Sequence, residues 1–363
     1  MSNTSPNVES AVDISPKVGQ EVRIIPQPSK AQRNPALDFT KGTLVLLMVL
    51  YHWINYFIGP QWEYYFYIRF LTPSFIFITG FMISNVYLSK YVAADPRLAK
   101  RLFTRGIKLM VVFLVLNVAR AFVIPVLSTG VLVANPLAPR NLFIIFASGN
   151  VPVVGGKLIA FSILVPISYL LMFSGALMLP YRFYKYTFHV VCVVLLSSIV
   201  VLRLIGEMSP YLEAVTIGML GVLAGFIPIA KINDLVRHPY MLALAYLCYT
   251  IAITIWNVPF PLLIVGVALS LMVIYLVGIS GGESGIIRSE VILLGKYSLF
   301  GYISQIAILQ ILAASFRHVD FELLVLSTSF VAAFALTVIS VEVVDRARAK
   351  AVSVDRLYKA VFA

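Results

Sequence analysis

From about residue 37 onward the chain alternates between long apolar runs and short polar breaks. The runs fall near 39–59, 64–88, 106–125, 158–180, 187–205, 211–230, 239–258, 260–280, 296–316 and 322–343. Each is about as long as a helix needs to be to cross a ~30 Å hydrocarbon layer at ~1.5 Å per residue. The breaks are turn-formers or charges: Gly59-Pro60, Asp95-Pro96, Pro180, Ser209-Pro210, Pro239, Pro259 and Gly281-Gly282. Proline lacks the backbone donor and glycine loses most conformational freedom in a helix, so apolar helices end at such residues. The pattern predicts an all-α, polytopic transmembrane helix bundle of about ten spans.

The two ends read differently. Residues 1–36 are rich in Ser, Pro, Asn and Gln and lack an apolar core, so they are expected to form a disordered cytoplasmic tail. A signal peptide would place its apolar stretch earlier and follow it with small residues, which is not the pattern here. The first apolar run therefore reads as a retained membrane anchor. Residues 37–345 form the expected membrane domain, and 346–363 a basic cytoplasmic tail.

Composition supports the bilayer and redirects the meaning of the charge. The chain is 60% hydrophobic and 12% charged, with a formal net charge of +12. Nucleic-acid binding would need a basic face on a soluble domain, and no such partner is expected. The bases fall in alternate loops: Lys90, Arg97, Lys100, Arg101 and Arg105; Arg182 and Lys185; Lys231 and Arg237; Arg288 and Lys296. The loops between them, such as GEMSPY at 206–211 and WNVPF at 256–260, are poor in base. By the positive-inside rule both termini are cytoplasmic, in the cell (inner) membrane. The long outer segment 126–157 carries Arg140 and Lys157. Two cysteines, Cys192 and Cys248, sit in apolar runs as fillers, and no metal site is expected.

Ionisable residues inside the membrane are costly, which makes function the default reading for them. In LDFTKGTLVLLMVLYHWINYF, residues 37–57, Asp38 and Lys41 lie at the cytoplasmic end of the first helix. His52 follows Lys41 by eleven residues, ~16 Å along the axis and about three turns, so the two share a face. Asn55 continues that stripe. The plain alternative is a pair of interfacial anchors and a packing histidine. Arg69, early in the second helix, and Arg120, high on the third, also fall in the outer half, and either can snorkel to the headgroups. Arg69 in EYYFYIRF, followed by Thr72-Pro73, is read as part of a polar cavity. RLAKRLFTRGIKL at 97–109 places Arg101, Arg105 and Lys108 around the start of the third helix, where phosphates are readily bound. The same bases also serve as topology anchors.

These stretches resemble the transmembrane acyltransferase superfamily, which includes the acyltransferase-3 family and relatives of heparan-glucosaminide N-acetyltransferase. LDFTKG with Lys41 and His52 is similar to the first-helix pattern of that group, a basic residue, ten intervening residues and a histidine. FLTPSFIFITGFMIS (70–84), RLFTRGIKL (101–109) and LGKYSLFGYISQ (294–305) are similar to its later segments. Where acyltransferase-3 members often carry a late histidine this chain has Gln305, and no role is assigned there. The resemblance implies transfer of an acyl group, acetyl or succinyl, from cytoplasmic acyl-CoA to a hydroxyl, less readily an amine, of a glycan or glycolipid at the outer face. It implies Lys41, Arg101, Arg105 and Lys108 for the CoA phosphates, with Asn55 and Arg120 on the acceptor. His52 would act as general base, or carry the acyl group itself. Arg69 would stabilise the oxyanion or orient the acceptor. Asp38 is expected to pair with Lys41 or with a cation of the third helix.

The rival reading is a secondary transporter or flippase for an anionic or glycolipid substrate, with His52 as proton relay. Such folds commonly repeat internally. No repeat relates 39–180 to 187–343, and deep charge concentrates in the first three helices.

Overall fold

A computed structural model of the chain describes residues 34–59, 67–88, 96–127, 146, 161–256, 260–281, 285–316 and 322–362; the side chains of 96, 120–127 and 322 are not considered. Among the described residues every regular element is helical. The elements are α1 (Pro35–Trp53), α2 (Leu71–Met82), α3 (Pro96–Leu127), α4 (Leu164–Tyr181), α5 (Thr187–Leu204), α6 (Pro210–Ala224) and α7 (Ile229–Val236). They continue with α8 (Pro239–Ile255), α9 (Phe260–Ser280), α10 (Ile286–Lys296), α11 (Ser298–Ser315), α12 (Glu322–Lys350) and α13 (Val352–Phe362). Two π-helical turns, Ile54–Ile58 and Ile83–Leu88, extend α1 and α2.

Every predicted apolar run carries a helix, and among the described residues eight helices are long and apolar enough to cross a membrane. The run at 211–230 is not one straight helix. α6 stops at Ala224, and α7 leaves at 99° after Gly225 and Pro228. α8, at 17 residues, is apolar but short. The third helix begins ten residues before its apolar run, at Pro96, because a polar first turn can stand beyond the hydrocarbon with its backbone still hydrogen-bonded. The N-terminal tail and most of 126–157 lie outside the described residues.

Local signals set the helix starts. The Asn34 side chain accepts from the Ala36 and Leu37 amides at 3.0 and 3.3 Å, Pro35 occupies the first turn, and Asp38 adds negative charge near the positive helix end. Ser209 and Pro210 repeat this arrangement at α6.

Small residues set the closest helix crossings, as bilayer packing favours. A Cβ on Gly42 would overlap the Val291 carbonyl, and one on Gly295 the Asp38 carbonyl, so α1 and α10 touch backbone to backbone. Gly80 of α2 meets Gly218 of α6 in the same way. The core, with Leu44, Met48, Ile76, Leu164, Leu170 and Ile217, joins α1, α2, α4 and α6. By contrast α5 and α8 expose Val193, Val194, Val200, Leu244 and Leu247.

Candidate functional site

A cavity of about 190 Å³ runs along α2 between α1, α3, α4 and α11, and the end of α13 also lines it. At the end of the bundle where α1 and α3 begin, it is lined by Lys41, Arg105, Lys108 and Tyr87. Its walls, including Phe75, Ile78, Met82, Ile167 and Leu171, are apolar. Tyr302 of α11 lines it as well. From Met82 to Phe75 the lining follows α2 for seven residues, ~10 Å of helix rise. The space is therefore long, apolar and cationic at one end.

The cations are held by defined neighbours. Lys41 pairs with the buried carboxylate of Asp38 at 2.6 Å, the partner expected for it. That pair largely cancels, which leaves Arg105 and Lys108 as the net positive charge at the mouth. Arg101 does not line the cavity. Its guanidinium lies 5.7 Å from the Tyr87 ring centroid and that of Arg105 lies 5.6 Å from it, so one aromatic ring meets both cations. Tyr358 of α13 is within electrostatic reach of Arg105.

The residues expected in the far half are less concentrated. His52 is half-buried near the end of α1, its ring tilted against Tyr51 with centroids 5.0 Å apart. It is not among the residues lining the cavity. Tyr51 and Tyr56, however, both lie within electrostatic reach of Tyr302. Tyr302, on the cavity wall, and Tyr51, the chain neighbour of His52, are thus electrostatic neighbours. Gln310 donates to the Tyr56 hydroxyl at 3.2 Å. Asn55 donates to the Tyr51 carbonyl at 2.9 Å, one turn back on its own helix. Arg69 is half-buried ahead of α2 and within electrostatic reach of Tyr249 on α8. No described contact joins it to His52. Arg120 lies on α3, with its side chain outside the described residues.

Sequence reasoning passed over Tyr302, Tyr51, Tyr87 and Phe362. Tyr302 sits in the quoted segment LGKYSLFGYISQ, yet tyrosine in an apolar helix gives no charge signal. Gln305, one turn further along α11, is fully buried, and neither end of its amide has a hydrogen-bond partner among the described residues. An orphaned buried amide costs stability, and this one stands one turn from a cavity-lining residue. No group of three or more metal-ligating side chains occurs among the described residues. Compared with protein-family models, curated proteins and solved structures, the chain matches none.

Proposed function

We propose that the protein is an integral membrane acyltransferase of the cell membrane, with both termini cytoplasmic. It takes acyl-CoA, acetyl-CoA or succinyl-CoA, from the cytoplasm and acylates a glycan or glycolipid at the outer face. The observation that carries this reading is a cavity with cations at one end and apolar walls, whose wall residue Tyr302 lies within electrostatic reach of Tyr51, the chain neighbour of His52. A CoA molecule matches it part by part. Its phosphates accept charge-assisted hydrogen bonds from Arg105, Lys108 and Lys41. Its extended pantetheine arm suits a narrow apolar passage, and its thioester is the group carried toward Tyr302.

In this mechanism His52 takes the proton of the acceptor hydroxyl as that oxygen attacks the thioester carbonyl. The carbon–sulfur bond breaks, the CoA thiolate leaves, and the proton on His52 returns to that sulfur. Arg69 orients the acceptor from the α8 side rather than touching the reacting atoms. Arg101 acts through Tyr87 and the field at the mouth.

A second reading, an anion transporter or flippase, is favoured by one observation, the 99° break between α6 and α7. Broken helices commonly build substrate sites in transporters. Purified protein in lipid discs with acetyl-CoA or succinyl-CoA separates the two. Release of free CoA thiol, by transfer or slow hydrolysis, is expected of the acyltransferase. Proton-coupled solute uptake by proteoliposomes without CoA release would overturn it. The mass shift of envelope glycans between a deletion strain and its parent then identifies the acyl group and the acceptor together.

A further inference from the structure

The segment read from its charges as a tail is folded. Arg346 to Lys350 complete α12, and after Ala351 the chain turns into α13, which packs on α12 and reaches α3. Two features hold it there. The first is a clasp at its start. Arg348 donates through Nε and Nη2 to Asp355 Oδ1 at 3.0 and 2.6 Å. The same guanidinium lies 4.1 Å from the Tyr358 ring centroid and 5.2 Å from that of Tyr297. Tyr297 in turn donates to Asp345 at 2.6 Å. The second is the far end of the helix. Phe362 packs edge-on against Phe300 of α11, with centroids 5.9 Å apart, and with Val361 it lines the cavity.

These two features differ in kind. The clasp is polar and joins α13 to α12 and to the α10–α11 junction, and its Tyr358 ring packs on Phe362 with centroids 4.9 Å apart. Phe362 lines the cavity, as do Arg105 and Lys108, the cations that an entering anion has to meet. Leu357 and Val352 of the same helix stay exposed, so little apolar burial holds α13 apart from its last turn. A short helix with few buried contacts belongs to the low-stability part of a fold, which opens without global unfolding.

We infer that α13 is a gate on this cavity: Phe362 closes the basic mouth, and the Arg348–Asp355–Tyr297 clasp sets how often it opens. An anion entering beside Arg105 and Lys108 needs the space that Phe362 fills, so the anion that fills the site also favours the open gate. The inference goes beyond the assignment of the occupant, because it concerns access for any anion of this size.

The test measures access directly and uses no acyl-CoA, so it stands whether or not the donor assignment does. In full-length protein with Cys192→Ala and Cys248→Ala, Thr79→Cys places a thiol in the cavity wall. Its rate of modification by a negatively charged methanethiosulfonate reagent is compared in the parent, in Phe362→Ala and in Arg348→Gln. Both substitutions are expected to raise the rate about tenfold, equivalent to ~1.4 kcal/mol of opening. An unchanged rate in Phe362→Ala overturns the gate, and an unchanged rate in Arg348→Gln overturns the role of the clasp. Ile199→Cys, buried on α5 away from the cavity, reports general loosening. A rise there equal to that at Thr79 overturns the inference as well.

Discussion

Two cavities of similar size lie on either side of α2, about 190 and 170 Å³, and Ile78 lines both. The first has Lys41, Arg105 and Lys108 at its mouth. The second, between α1, α2, α7 and α9, has Lys231 as the one cation among its lining residues. Its polar groups are also spent on one another. Asn34 donates to the Tyr275 hydroxyl at 3.1 Å, which donates to Asn233 at 3.0 Å. Volume therefore does not distinguish a binding site from a packing defect here; the placement of charge does. That placement follows from α3, whose polar first turns bring bases to the cavity, whereas α7 lays an amphipathic turn along the second one with Lys231 exposed.

The comparison breaks most sharply at His52, which does not line the first cavity and adjoins Tyr51, an electrostatic neighbour of the lining Tyr302. His52→Ala is expected to leave a folded protein that binds CoA and to lower transfer by a factor of ~10²–10⁴, the usual loss for a general base. Folding should survive, because burying a polar ring in the bilayer was unfavourable to begin with. Transfer rates beside matched CoA-binding controls decide it. Retention of more than about a tenth of wild-type transfer, well above a base's expected loss, would make His52 a packing residue.

The next effect concerns the charges themselves. A charge-assisted hydrogen bond contributes ~1.5–3 kcal/mol, roughly ten- to hundredfold in affinity. Arg105→Gln and Lys108→Gln should each weaken CoA binding within that range, measured by calorimetry in lipid discs. Arg101→Gln should weaken it less, since Arg101 does not line the cavity and meets Tyr87, which does. Lys231→Gln should leave affinity unchanged. Equal losses at Lys231 and Arg105 would mean that the field of the whole basic end, and no particular cavity, binds the anion.

How far this was legible in the sequence depends on which signal each part leaves. The helices could be read because uninterrupted apolar runs are what a bilayer demands. Lys41, Arg105 and Lys108 could be read because charges beside apolar runs stand out. α13 could not: in VSVDRLYKAVF no continuous apolar run exceeds three residues, and the contacts of Asp355, Tyr358 and Phe362 with other helices give it a place. The break after Ala224 was hidden for the opposite reason, since apolar residues continue through Phe226 and Ile227. Tyr302 and Tyr51 carry no charge and sit in apolar helices, so their proximity arises only from packing. The spacing of Lys41 and His52 gave a shared face, but it gave no information on what lies between them.

A smaller effect separates two close crossings, α1 on α10 and α2 on α6. Gly42→Ala and Gly80→Ala each force a methyl group against a neighbouring carbonyl, and overpacking of this kind costs ~1–3 kcal/mol. Thermal unfolding in detergent should register both to a similar degree. Only Gly42 is next to Lys41, on the helix that α10 holds in place. CoA affinity, corrected for the folded fraction, should fall for Gly42→Ala and hold for Gly80→Ala. Equal affinity losses would show that the mouth is not positioned by the α1–α10 crossing.

The smallest expected effect is the response of the α13 clasp to pH, and its sign follows from two groups. Hydrogen bonds from Lys359 and from Arg348 hold the Asp355 carboxyl below the usual carboxylate range. A carboxyl depressed in the folded state contributes stability above its unfolded pKa of ~3.9 and loses it as pH falls through the lower folded value. Burial, followed by the hydrogen bond to Asp345, pushes the Tyr297 hydroxyl up to about 12. Its contribution is complete below an unfolded pKa of ~10 and is lost as pH rises through the folded value. Between these limits neither group changes charge, so the clasp should be insensitive to pH across the physiological range. A nitroxide at Leu357→Cys, on the exposed side of α13, should show constant mobility from about pH 5 to pH 10, the interval between those reference pKa values. It should be mobilised only at the extremes, where Asp355 gains its proton or Tyr297 loses one. A step near pH 6–7, the ~6.5 range of histidine, would mean that some group other than Asp355 and Tyr297 controls the helix. Access to the charged cavity would then depend on pH where access to the apolar cavity, which α13 does not line, would not.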